Sequence, residues 1–259
     1  MNIATERKND PATAAAIGLL AMCLVTVDHE AAGHGGTCLL LGGHILLLTS
    51  AVFHCSRPSG WVDAGGPGMN LICGLLAWMV RKFVPPRYPH ARFFLSIVTA
   101  LSWFWEGGYA IHAMHRQDGD LYGFAQYMLG QVTVTERWIF ALLGLLLYAV
   151  TVSLTSRALL TIAPSARQAR AASRAAWIAA ALGATLAGAL GPDVGNLRDA
   201  VLEIGLASFP LLLIPWQTRE TATATATSTL TRSPLLISTA IVVFGLFAAV
   251  LGHGLRLSD

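Results

Sequence analysis

Seven apolar stretches recur along the chain, at about 12–34, 65–80, 92–114, 137–156, 173–191, 199–216 and 234–254. Each is near the roughly 20 residues that a helix needs to cross a bilayer. A chain committed to lipid in this way must satisfy its backbone hydrogen bonds internally, which leaves helices and protein-lined irregular segments as its options. Hydrophobic residues make up 54% of the 259 positions and charged residues 12%, against about 25% charged in a soluble domain. The expected fold class is an all-α polytopic membrane protein with about 6–8 transmembrane helices.

Lys and Arg set the orientation, since short basic loops stay on the cytoplasmic side. With the N-terminus inside, the inside segments hold 12 and the outside segments 5 of the 17. Arg81, Lys82, Arg157 and Arg174 fall inside, whereas Arg57, Arg116, Arg137, Arg198 and Arg256 fall outside. The net charge of +3 is then a topology signal, and no nucleic-acid partner is expected. The first apolar stretch carries Asp28, His29 and Glu30 where a signal peptide would have its small-residue cleavage site, so it reads as a retained helix. The expected location is a bacterial inner (plasma) membrane with the N-terminus cytoplasmic. Cys23, Cys38, Cys55 and Cys73 are widely spaced without a C-x-x-C pair, and read as small apolar packing residues.

Three regions follow. Residues 1–11 read as a polar cytoplasmic tail and 12–136 as a membrane core holding most of the informative polar residues. Residues 137–259 read as additional transmembrane helices, with an Arg-rich loop or surface helix at 157–174 and a Thr/Ala linker at 221–231. After His34, paired glycines (Gly35-Gly36, Gly42-Gly43) and the β-forming run from His44 to Phe53 predict an extended or hairpin segment. Gly65-Gly66-Pro67-Gly68 is expected to break the chain before the next helix, with Asn70 in its first turn.

Four ionisable residues in seven, Asp28, His29, Glu30 and His34, close the first apolar stretch. Such groups cost several kcal/mol in lipid unless they are paired, and they mark sites. Zinc hydrolases hold the metal with imidazoles and carboxylates and use a carboxylate to take a proton from water. His29 and His34 are candidate metal ligands and Glu30 the candidate base. In a regular helix, residues five apart point about 140° apart. Two arrangements avoid this: a π-bulge, favoured by Gly33, Gly35 and Gly36, or ligation by Glu30 and His34, which are four apart. The bulge is preferred.

His29-Glu30-x-x-Gly33-His34, the glycine-interrupted β-like stretch, and Gly66-Pro67-x-x-Asn70 together resemble the site-2 protease family of intramembrane zinc metalloproteases over about residues 12–125. The resemblance implies zinc, a membrane-embedded β-hairpin, a membrane-protein or peptide substrate, a role for Asn70 in holding that substrate, and an aspartate ligand from a later helix. With the N-terminus inside, 12–34 and 92–114 both run outward, so that ligand is sought just beyond 114. Asp120 is chosen because Gly119-Asp120 after Tyr109 resembles the family's Gly-Asp ending. Asp118, Glu106, His112 and His115 remain alternatives. The predicted metal set is thus His29, His34 and Asp120, with Glu30 catalytic.

Two other readings compete. A histidine-box iron oxidoreductase would draw on His29, His34, His112 and His115, but no His-His pair occurs. A non-enzymatic scaffold would use the same polar residues for helix packing. His44, His54, His90 and His253 are expected outside any site, and Trp103, Trp105 and Tyr109 are given no catalytic part.

Overall fold

The chain begins its described course at Lys8, and the computed structural model describes residues 8–192, 194–215 and 229–257. Most of the 1–11 tail and of the 221–231 linker therefore lies outside the described residues. Asp10 caps helix α1 (Pro11–Val27), accepting from the Thr13 N–H at 2.8 Å, with Pro11 at the first helical position, where its missing N–H costs nothing. The helix then passes without a break into a π-helical segment, Asp28–Gly35, and a short α2 (Gly36–Leu40). The predicted extended segment thus starts later than Gly35. It comprises β1 (Ile45–Leu48) and β2 (Phe53–Cys55), paired antiparallel with Leu48 opposite Phe53.

Five further long helices follow: α3 (Gly60–Phe83), α4 (Pro89–Arg116), α6 (Val134–Leu160), α7 (Ala166–Ala189) and α9 (Pro234–Phe247). Between α4 and α6 lies the short α5 (Asp120–Leu129). Among the described residues, three continuous helices are long and apolar enough to cross a membrane: Pro11–Leu40, Val134–Leu160 and Pro234–Gly252. Their outward faces carry large apolar side chains, Leu142, Leu143 and Leu146 on α6 and Ile241, Val242 and Leu246 on α9.

Small residues bring the helices together. The buried stripe Ala169, Ala172, Ala176, Ala180, Ala184 and Ala187 of α7 faces α1, and a methyl on Gly18 would overlap the backbone of Ala176. Gly107 of α4 meets Gly144 of α6 in the same manner. Where lipid removes the hydrophobic drive between helices, such close backbone approach supplies the dispersion that holds them.

Three expectations are corrected. Cys38 and Cys55 form a disulfide that ties α2 to β2; the two lie 17 residues apart in sequence, and the turn at Gly42-Gly43 folds them together. The 199–216 stretch is not one helix: α8 (Val194–Ala200) runs into a π-helical turn at Val201–Leu206 and a 3-10 turn at Phe209–Leu212, interrupted where Pro210 and Pro215 lack N–H donors. Of the Arg-rich segment, expected as a loop or surface helix, Arg167, Arg170 and Arg174 lie on α7. Gly65-Gly66-Pro67-Gly68 does not break the chain, because Ser59 caps α3 and the helix runs through Pro67. A third strand, β3 (Leu255–Arg256), arrives from the far end of the chain and pairs with β1, giving the order β2-β1-β3.

Candidate metal centre

The π-helical segment answers the spacing problem, because i→i+5 bonding returns residues five apart to one face. His29 and His34 are both buried, and their Nε2 atoms stand 3.2 Å apart. The Oδ2 of Asp120, the first residue of α5, lies 3.6 Å from His29 Nε2 and 3.3 Å from His34 Nε2. These three residues form a group able to hold a metal ion.

The second ring nitrogens bear on the tautomers. His34 Nδ1 is 2.7 Å from the Val62 carbonyl oxygen, which only accepts, so Nδ1 carries the proton and Nε2 a lone pair. His29 Nδ1 lies 3.3 Å from Oε1 of the buried Glu106, an oxygen that also accepts from Asn70 Nδ2 at 2.7 Å. The Asn70 amide nitrogen stands 2.9 Å from the same Nδ1. His29 Nδ1 thus meets both a donor and an acceptor: it accepts from Asn70 in one tautomer and donates to Glu106 in the other, and the second leaves Nε2 free for a metal. Two lone pairs and a carboxylate oxygen then converge with no proton among them, which an isolated cluster would resist and a cation would reverse. Burial alone would raise the Asp120 carboxyl, but when the imidazoles of His34 and His29 carry protons in place of a metal they hold it well below the ordinary carboxylate range.

The rings are fixed from several sides. His29 stacks on Trp105 at 4.3 Å between centroids with an interplanar angle of 12°. His34 stacks on Phe53 of β2 at 5.7 Å and 14°. Gly33 and Gly65 touch backbone to backbone, and a methyl on Gly66 would overlap both Nε2 atoms. The Gly-Pro segment therefore allows α3 to lie directly against the imidazoles.

Glu30 is buried beside them and its Oε2 accepts no hydrogen bond from the described residues. It lines a cavity of about 550 Å³ together with His34, Asp120, Tyr109 and the β2 residues Phe53 to Cys55. Asp118 also lines that cavity but is exposed and accepts from the Gly119 N–H. Glu106 supports His29 from behind rather than joining the donor group, and His112 and His115 are exposed outside it. His54 lines the cavity as well, while His90 and His253 bond backbone carbonyls elsewhere.

Three participants had no role in the sequence reading. Trp105 is the stacking face for His29, and the Tyr109 hydroxyl accepts from the Asp120 N–H at 3.3 Å. Glu203, buried on the second π-helical turn, forms part of the cavity wall. Its signal was available as a lone carboxylate in an apolar stretch. No protein-family model, curated protein or solved structure matches the chain.

Proposed function

We propose that this chain is an intramembrane zinc metallopeptidase of the site-2 protease kind, acting on membrane-protein or peptide segments, with His29, His34 and Asp120 as ligands. The observation that carries the reading is the spacing of the three donor atoms, 3.2, 3.3 and 3.6 Å. Zinc bonds of about 2.0–2.2 Å at tetrahedral angles set donors roughly 3.3–3.6 Å apart. Two imidazoles and one carboxylate with a cavity on the open side are the donor set of a catalytic rather than a closed structural site.

When bound, zinc would make a water acidic enough to lose a proton near neutral pH and polarise a peptide carbonyl. Glu30 supplies the acceptor for that proton: its Oε2 is buried and unpartnered on the cavity wall. Glu106 and the Val62 carbonyl keep the imidazole lone pairs pointed inward. A peptide must be extended to expose its carbonyl, and β2 offers an edge for it, since β1 is flanked on its other side by β3. The polytopic architecture, with α3, α4 and α7 as further spans and the N-terminus cytoplasmic, belongs to the same proposal. So does placement in a bacterial inner membrane.

Purified protein should contain about one zinc per chain, and Glu30→Gln should keep that zinc while abolishing cleavage of a membrane-anchored substrate. Iron in place of zinc, or undiminished cleavage by the variant, overturns the proposal. Zinc without cleavage by the unaltered chain would mark a relative that keeps the site and has lost the reaction.

A further inference from the structure

The opposite end of the helix bundle carries a second concentration of charge that the metal centre does not use. Arg81, in the last turn of α3, is 6% exposed. Its Nε donates to Ser96 Oγ at 2.8 Å, and its Nη2 to the Ala158 carbonyl at 3.0 Å and to Thr161 Oγ1 at 2.8 Å. Arg92, in the first turn of α4, directs its own Nη2 at that same Thr161 oxygen, at 3.5 Å, and its Nε is buried without a partner among the described residues. The Thr161 proton is already committed to the Ala158 carbonyl at 2.7 Å.

Two guanidinium groups therefore share one neutral oxygen. The ion pairs among the described residues are His29–Glu106, His29–Asp120, His34–Asp120 and Arg198–Asp199; none involves either arginine. Like charges held this close repel unless an anion lies between them, and a buried N–H left unbonded is destabilising. The helix beginning at Pro89 adds to the deficit, for Tyr88 gives it no side-chain cap and its free N–H groups favour negative charge. Trp78 lies beneath the Arg81 guanidinium at 5.7 Å and the Lys82 ammonium at 5.5 Å, the placement of an aromatic ring at a membrane interface.

We propose that Arg81 and Arg92 bind a phosphate-type oxyanion at this end of the bundle. The planar guanidinium donors suit bidentate contact with phosphate oxygens, and Arg92 Nε is a donor without a partner among the described residues. Such an anion comes either from an anionic phospholipid headgroup or from soluble phosphate. The position between helix ends, over an interfacial tryptophan, suits the headgroup. The site is independent of the metal centre, and neither depends on the other being correct.

The test uses the full chain in nanodiscs of phosphatidylcholine alone or mixed with phosphatidylglycerol, and in detergent with inorganic phosphate. Unfolding temperature and lipid retention by native mass spectrometry are the readouts. Phosphatidylglycerol should raise the unfolding temperature and stay bound, and Arg92→Gln should weaken its retention about tenfold, one charged hydrogen bond's worth, with Arg92→Lys intermediate. A similar shift produced by inorganic phosphate alone, and lost in Arg92→Gln, would assign the site to a soluble anion. The proposal is overturned if neither source shifts the unaltered chain, or if Arg92→Gln responds as the unaltered chain does. Should Arg92→Gln fail to fold, the comparison of Arg92→Lys with the unaltered chain decides between the same outcomes.

Discussion

His29 Nδ1 stands 3.3 Å from Glu106 Oε1, and the two residues reach each other from different helices, α4 supplying a carboxylate behind the ring that faces the cavity. A carboxylate behind a ligating imidazole fixes its tautomer and raises its basicity, and losing one costs about 10–100-fold in metal affinity. Glu106→Gln should therefore weaken zinc binding by about that factor in chelator competition, while Glu106→Asp recovers part of it. Equal affinity in Glu106→Gln would show that Glu106 serves packing alone.

Gly66 and Gly68 are two residues apart on α3, yet their surroundings differ completely. A methyl at Gly66 overlaps the Nε2 atoms of His29 and His34, whereas one at Gly68 meets nothing within 4 Å. Gly68→Ala should leave metal content intact and stabilise the helix by up to about 1 kcal/mol. Gly66→Ala should gain the same propensity but lose metal. Measuring zinc stoichiometry and unfolding temperature on both separates the steric effect from the helical one. Full zinc occupancy in Gly66→Ala would contradict the close approach.

The Cys38–Cys55 bridge closes a loop of 17 residues in sequence around β1 and holds β2, whose Phe53 stacks on His34. A loop of this size contributes about 3 kcal/mol by restricting the unfolded chain. Reduction, or Cys38→Ser with Cys55→Ser, should lower the unfolding temperature and loosen the β2 edge before it affects metal binding by the helices. Because disulfides persist in oxidising compartments, Cys38 and Cys55 should resist maleimide in intact cells until an external reductant is added. Immediate labelling without reductant would oppose both points.

Much of this arrangement was legible before the fold was known, and the failures share a cause. The π-helical turn was readable because a five-residue spacing between two costly histidines has few solutions and glycines flank it. The hairpin was readable from the β-forming run His44 to Phe53 that follows the glycine pair Gly42-Gly43. The disulfide was not, because spacing alone does not say that a turn at Gly42-Gly43 brings Cys38 to Cys55. Gly65 and Gly66 looked like breakers, but in the fold they are contact points, a distinction that depends on the neighbouring helix. Glu106 competed with Asp120 as a ligand because both are acids near the same helix. Three dimensions separate them, with Glu106 behind the imidazole and Asp120 in front of it.

Asp120 and Asp118 provide the sharpest remaining separation, since both line the cavity and only Asp120 comes within 4 Å of the histidine nitrogens. Asp120→Asn should abolish stoichiometric zinc, and Asp118→Asn should retain it. Acidification reports on the same site with a defined sign. The Asp120 carboxyl, held low by the neighbouring imidazoles against the effect of burial, stays ionised to below its unfolded pKa of about 3.9. It is therefore not the ligand whose protonation first ejects the metal. Imidazoles must be neutral to ligate, so zinc occupancy should fall on acidification as protons compete for His29 and His34, before the Asp120 carboxylate is protonated. Occupancy measured after equilibration across a series of pH values checks the order; loss of zinc that begins only below about pH 4 would place carboxylates alone, rather than imidazoles, on the metal.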